Sequence, residues 1–134
     1  MARWLYLRRV PIFPRLITYW IRFFWGAFIP HTATIGLGTR VGYGGLGVVI
    51  HERAIIGSGC VISQHVTIGG NGSEVGVPVI GDRVQIGVGA KVLGPIRVGD
   101  DAVVGANAVV ISDVLPHQVV GGVPAKVLKN REKC

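Results

Sequence analysis

The stretch IGDRVQIGVGAKVLGPIRVGDDAVVGANAVV, residues Ile80 to Val110, places an aliphatic residue at every sixth position: Ile80, Ile86, Val92, Val98, Val104 and Val110. Glycine usually follows, at Gly81, Gly87, Gly99 and Gly105, and a small residue stands four places on, at Val84, Ala90, Ala102 and Ala108, with Ile96 as the larger exception. A period of six fits neither a helix, which repeats at about 3.6, nor a single alternating strand, which repeats at about 2. It fits a coil in which each hexapeptide is one short flat strand and one turn, three to a rung. The aliphatic residue points inward, the small one shares the interior, and glycine takes the corner where a side chain would cost most. The spacing predicts an all-β chain folded as a parallel β-helix.

The same register runs backward through Ile68, Ile62, Ile56 and Ile50, is interrupted, and resumes at Val41 and Ile35. Six residues more than one repeat needs lie between Ile68 and Ile80, which predicts an external loop over GGNGSEVGVP, Gly69 to Pro78. Three too many lie between Val41 and Ile50, which predicts a smaller bulge over Tyr43 to Gly47. In a solenoid the rungs are scaffold, and interruptions commonly carry the site.

With 134 residues the chain has room for one domain, and its 21 glycines follow no three-residue period, which excludes collagen. The net charge of +7 is unevenly spread. Arg3, Arg8, Arg9, Arg15 and Arg22 precede the repeats with no acid among them, and Lys126, Lys129, Arg131 and Lys133 follow the last rung. Basic ends suit anionic lipid or a phosphorylated ligand; nucleic acid is not expected, because no binding motif accompanies the charge. Residues 1 to 28 read differently from the rest. Pro14 opens a helix that runs to about Phe28, with Pro30 as a stop. Apolar on most sides, that helix must be buried in protein or lipid, and at about 14 residues it falls short of the roughly 20 that span a bilayer. Two readings stand: a cap on the β-helix or a neighbouring subunit, and a peripheral membrane contact through residues 1–28. Cys60 falls in a small inward slot and reads as packing, and Cys134 ends the chain, so the expected setting is a reducing cytoplasm, with the inner face of the membrane as the narrower alternative.

The segments IHERAIIGSGCVISQHVTIGGNG, VPVIGDRVQIGVGAKVLGPI, VVGANAVVISDVLPH and GVPAKVL together resemble the hexapeptide-repeat acyltransferases, most closely the serine O-acetyltransferase group and its short polysaccharide-biosynthesis relatives. The resemblance covers about residues 30 to 128. It implies a left-handed β-helix, a homotrimer, and acetyl-CoA as donor substrate in a groove between subunits, with no metal. It also implies that Gly70, Val88, Gly89 and Ala106 line that groove and that Lys126 stands near the phosphorylated end of the coenzyme. The expected domains are an apolar basic helical segment at 1–29, the β-helix acyltransferase domain at 30–128 and a tail at 129–134. Val48, Val103 and Val109 are expected on outer faces that a trimer would cover.

In the family the catalytic histidine sits in the small bulge. Here the bulge reads VGYGGLGVVIH, with Tyr43 at the histidine's place when aligned from the left and Gly44 when aligned from the right. His65 is three places after the inward Ile62, on the corner one rung beyond the bulge. Adjacent rungs are about 4.8 Å apart, so His65 reaches the space that the missing histidine serves. The candidate catalytic residues are therefore His65, then His51, which replaces a corner glycine, then Tyr43; His31 and His117 are not expected to act. Three functions follow: an acetyl-CoA-dependent O-acetyltransferase acting on a hydroxyl of a sugar or small acceptor in envelope or exopolysaccharide biosynthesis; a serine O-acetyltransferase of cysteine biosynthesis; and a catalytically silent trimeric scaffold. A metal-dependent hydratase would need three clustered histidines, and His51 and His65 have no third partner in the pattern.

Overall fold

Each hexapeptide buries its aliphatic residue and then turns, and the turns stack so that every coil lies under the next. The computed structural model, which describes residues 12–132, shows three sheets, parallel except for one terminal strand, forming the faces of a left-handed triangular prism. Face one holds β1 (Thr34–Ile35), β4 (Ile55–Ile56), β7 (Val79–Ile80) and β10 (Arg97–Val98). Face two holds β2 (Arg40–Val41), β5 (Val61–Ile62), β8 (Gln85–Ile86) and β11 (Val103–Val104), then β13 (Gln118–Gly121) and β14 (Lys126–Asn130). Face three holds β3 (Val49–Ile50), β6 (Thr67–Gly69), β9 (Lys91–Leu93) and β12 (Val109–Val110).

Register confirms both insertions. Val79 pairs with Arg97, three hexapeptides on. The pairings Val61 with Gln85 and Arg40 with Val61 are longer by the six and three extra residues, so loop and bulge are absorbed between coils and every inward residue keeps its column. Ile50, Ile56, Ile62, Ile68, Ile80, Ile86, Val92, Val98, Val104 and Val110 are buried in one continuous core. Each such side chain contributes about 1.5–3 kcal/mol by leaving water. Cys60 is in this core, where burial pushes its thiol above the ordinary value while Sγ donates to the Gly81 carbonyl at 3.1 Å.

Two expectations are corrected. Val48 is fully buried rather than outward, because the bulge ends one residue before it and returns it to the inward slot that precedes Ile50. The helix, α1 (Phe13–Trp25), stops short of Phe28: Gly26, at φ +61°, takes the left-handed capping position and donates its N–H to the Arg22 carbonyl. Phe28 then extends face three instead, donating to Val48 and accepting from Ile50, both at 2.8 Å. Within this chain only Pro14 and Thr18 of α1 are buried, while Phe13, Trp20, Phe23 and Phe24 face outward. At the other end, β14 runs antiparallel to β13 and pairs through Lys129 and Asn130, so the ordered sheet continues past residue 128. No helix among the described residues is long and apolar enough to cross a membrane.

Candidate functional site

Three edges separate the three faces, and the sequence distributes chemistry very unequally among them. The edge between faces two and three is formed by the bulge, by Ser63-Gln64-His65, by Gly87-Val88-Gly89, by Gly105-Ala106-Asn107 and by the turn at Gly122. Its turns are tied coil to coil by backbone hydrogen bonds: His65 N–H to Leu46 at 2.9 Å, Gly89 N–H to Gln64 at 3.0 Å, Asn107 N–H to Val88 at 2.8 Å and Val109 N–H to Gly122 at 3.0 Å. No acidic residue occurs in any of these turns.

The bulge itself is a short 3-10 turn, Gly42–Gly45, in which Tyr43 and Gly44 both have positive φ. A methyl group on Gly47 would overlap Nδ1 of His65, so the imidazole lies directly on the bulge. His65 stands at φ +59°, a left-handed corner that a non-glycine residue seldom occupies, and the corner aims its exposed ring back across one rung. The expected reach from His65 to the bulge is therefore seen in the structure. From the other side, a Cβ on Gly44 would come within 2.7 Å of the Trp25 Nε1, and Gly47 donates its N–H to the Trp25 carbonyl at 3.1 Å. The bulge is thus held between an indole from α1 and an imidazole from the next coil.

Tyr43, His65, Val88, Gly89 and Ala106 share this edge, and Lys126, paired with Gly121 where β14 begins, stands at its upper end. Gly89 leaves room where any Cβ would overlap Oδ1 of Asn107. His51 and Gly70 lie on a different edge, between faces three and one. His51 Nδ1 accepts the Arg53 N–H at 3.1 Å, and the ring lines a hollow of about 240 Å³ with Phe28, Val49, Thr67 and Gly69. Within one chain the structure brings together six of the eight proposed site residues and separates these two. Among the described residues no three of His, Cys, Asp and Glu stand together to hold a metal ion.

Two neighbours were not anticipated. Lys91 Nζ donates to the carbonyls of Gly89, at 2.7 Å, and His65, at 3.3 Å, bracing the corner backbone on which the imidazole is mounted. Its signal is its place in IGVGAK, directly beyond the corner. Trp25 gave no signal in the sequence, because its contact with Gly44 is made by the helix folding back on the first coil.

Residues 78–112 match the family described as bacterial transferase hexapeptide (six repeats). Over 130 residues the chain is 42% identical to a serine acetyltransferase of Synechococcus elongatus, covering 96% of this chain and 53% of that protein. A serine acetyltransferase of Bacillus subtilis is 42% identical over 135 residues, covering 99% and 62%. Among solved structures, a Brucella abortus serine acetyltransferase in complex with coenzyme A superposes with a TM-score of 0.91 at 31% identity, covering 99% of this chain and 54% of that one. The Neisseria gonorrhoeae serine acetyltransferase gives 0.89 at 37% identity, covering 99% and 51%. The chain spans about half the length of these relatives.

Proposed function

Because this chain belongs to the hexapeptide-repeat transferases, we propose that it is an acetyl-CoA-dependent O-acetyltransferase in which His65 is the general base. The observation that carries the reading is the imidazole of His65 seated on Gly47, on the same acid-free edge as Val88, Gly89 and Ala106. The acceptor hydroxyl sits beside the bulge and attacks the thioester carbonyl while His65 takes its proton. Backbone N–H groups stabilise the oxyanion, and its collapse expels the coenzyme thiolate, which recovers the proton. A positioned base contributes about 10²–10⁴ in rate. Val88, Gly89 and Ala106 form the wall along which the donor lies, and the absence of carboxylates there favours a ligand carrying phosphates, with Lys126 at its charged end.

His51 and Gly70 enter if the groove is shared between subunits of a homotrimer, where the edge of one subunit that bears the loop meets the His65 edge of its neighbour. Val103 and Val109, half-buried in one chain, belong to the faces that such an assembly covers. The domain boundaries proposed with this reading are a helical segment to residue 29 and the transferase coil from residue 30.

Serine is the acceptor that the relatives' names favour, and it moves ahead of the sugar hydroxyl preferred from sequence. A sugar or other small acceptor in envelope polysaccharide assembly remains the second reading. It is favoured by the bulge, where Tyr43 and Gly44 stand at the usual histidine position and the Tyr43 and Trp25 rings are exposed for a flat, hydroxylated ring to stack on. Thiol release from acetyl-CoA, measured with serine and with nucleotide sugars and oligosaccharides in parallel, separates the two. Saturable release with serine supports the first; release only with a sugar supports the second. A folded protein that fails to bind acetyl-CoA contradicts both and leaves the silent scaffold.

A further inference from the structure

Helix α1 has two apolar sides, and only one is buried. Pro14 and Thr18 are buried, with Ile17 and Ile21 half-buried beside them. The opposite side is broader and more aromatic: Leu16, Tyr19, Trp20, Phe23 and Phe24 are all exposed, Phe23 to 83%. Trp20 stacks on Phe24 at 5.1 Å and Phe23 meets Phe24 edge-on at 5.2 Å, so these rings form one continuous surface. Arg15 and Arg22, seven residues apart, fall on a single flank of the helix, at the rim of that surface.

Charge identifies the occupant. The first acidic residue in the chain is Glu52, and six arginines precede it: Arg3, Arg8, Arg9, Arg15, Arg22 and Arg40. The same helix of a second copy would bring the same arginines and meet like charge. An anionic bilayer supplies both complements at once, an apolar layer for Trp20, Phe23 and Phe24 and phosphates for the arginine flank, and tryptophan, tyrosine and arginine are the residues suited to that depth. At 13 residues the helix is about 20 Å long and lies along such a surface without crossing it. We infer that the outward face of α1 is a docking surface for anionic lipid bilayers. The inference stands whether or not His65 is a base.

The test is co-sedimentation of the full chain with vesicles of phosphatidylcholine alone or with about 30% phosphatidylglycerol. Partition onto the anionic vesicles is expected to exceed that onto neutral ones and to fall in about 0.5 M salt. Arg15→Gln with Arg22→Gln is expected to lower it by about 25-fold, and Trp20→Ser with Phe23→Ser by about tenfold or more, with the β-sheet circular dichroism of each variant unchanged. Equal partition onto both vesicle types, or onto neither, overturns the inference. So does concentration-dependent self-association that Phe23→Ser abolishes in a protein that ignores vesicles, because the face would then be a contact between copies.

Discussion

The edge that carries His65 and the edge between faces one and two are built on the same hexapeptide, yet they use it in opposite ways. Both place a histidine at a left-handed corner, His65 at φ +59° and His117 at φ +63°. Around His117 the polar groups satisfy one another. Asp82 accepts the Ser58 N–H at 2.9 Å and Asp100 accepts the Asp82 N–H at 2.8 Å, while Arg83 grips Asp101 with two hydrogen bonds at 2.9 and 3.0 Å. Around His65 the corners are glycine, alanine, valine and asparagine, with no carboxylate to close the edge on itself. One edge uses the repeat to bind coil to coil; the other leaves a smooth, acid-free track with an imidazole at one end. A repeat fold thus separates stability from chemistry by edge rather than by layer.

The sharpest way to break this contrast is through the glycines that hold equivalent places on the two edges. A Cβ on Gly99 would stand 2.6 Å from Pro116 Cδ and 2.8 Å from its Cα, whereas one on Gly105 would come no nearer than 3.3 Å to Val120. Gly99→Ala is expected to cost about 3 kcal/mol in urea unfolding and Gly105→Ala less than about 1 kcal/mol. Equal costs would erase the difference between these two corners.

The next largest effect concerns the bulge. Gly47→Ala must both adopt φ +66° and push His65 aside. Turnover is expected to fall about tenfold or more, with the apparent affinity for acetyl-CoA little changed because the donor wall lies on later coils. A fall in donor affinity with intact turnover would detach His65 from the bulge.

The smallest effect belongs to the opposing edge. The hydrogen bond from Arg83 holds the Asp101 carboxyl below its usual range. A depressed carboxyl stabilises the fold above its unfolded pKa, and that contribution is lost as pH falls through the lower, folded value. Asp101→Asn should therefore melt slightly lower than the parent at neutral pH, and the gap should close in acid. Both partners are solvent-exposed, so the shift is small. A gap that widens on acidification would mean that the ion pair is not its source.

Most of the scaffold was legible because its cause is a strict period: Ile50 to Val110 keep a six-residue column that no local preference can imitate. The two interruptions were legible for the same reason, as residues in excess of that count. Val48 was not legible as a core residue because the bulge breaks the count, and the inward slot resumes only two residues before Ile50. The position of His65 beside the bulge was legible from the rung spacing, since an aligned corner is one strand separation from its neighbour. What stayed hidden was tertiary. Trp25 reaches Gly44 only because Gly26 turns the chain out of the helix, and nothing in the local sequence shows which coil a folded-back helix will touch. The same holds for Lys91, whose contacts join corners that are 26 and two residues from it in sequence.

The comparison between the two histidines is also the most direct test of the central claim. His65→Asn and His117→Asn both keep a residue that tolerates the left-handed corner, so each removes an imidazole with little backbone strain. Measured as acceptor-dependent thiol release from acetyl-CoA, His65→Asn should lose about 10² or more in kcat/KM at unchanged melting temperature, and His117→Asn should stay within about twofold of the parent. Equal activity in the two variants would contradict the account and remove His65 from the chemistry.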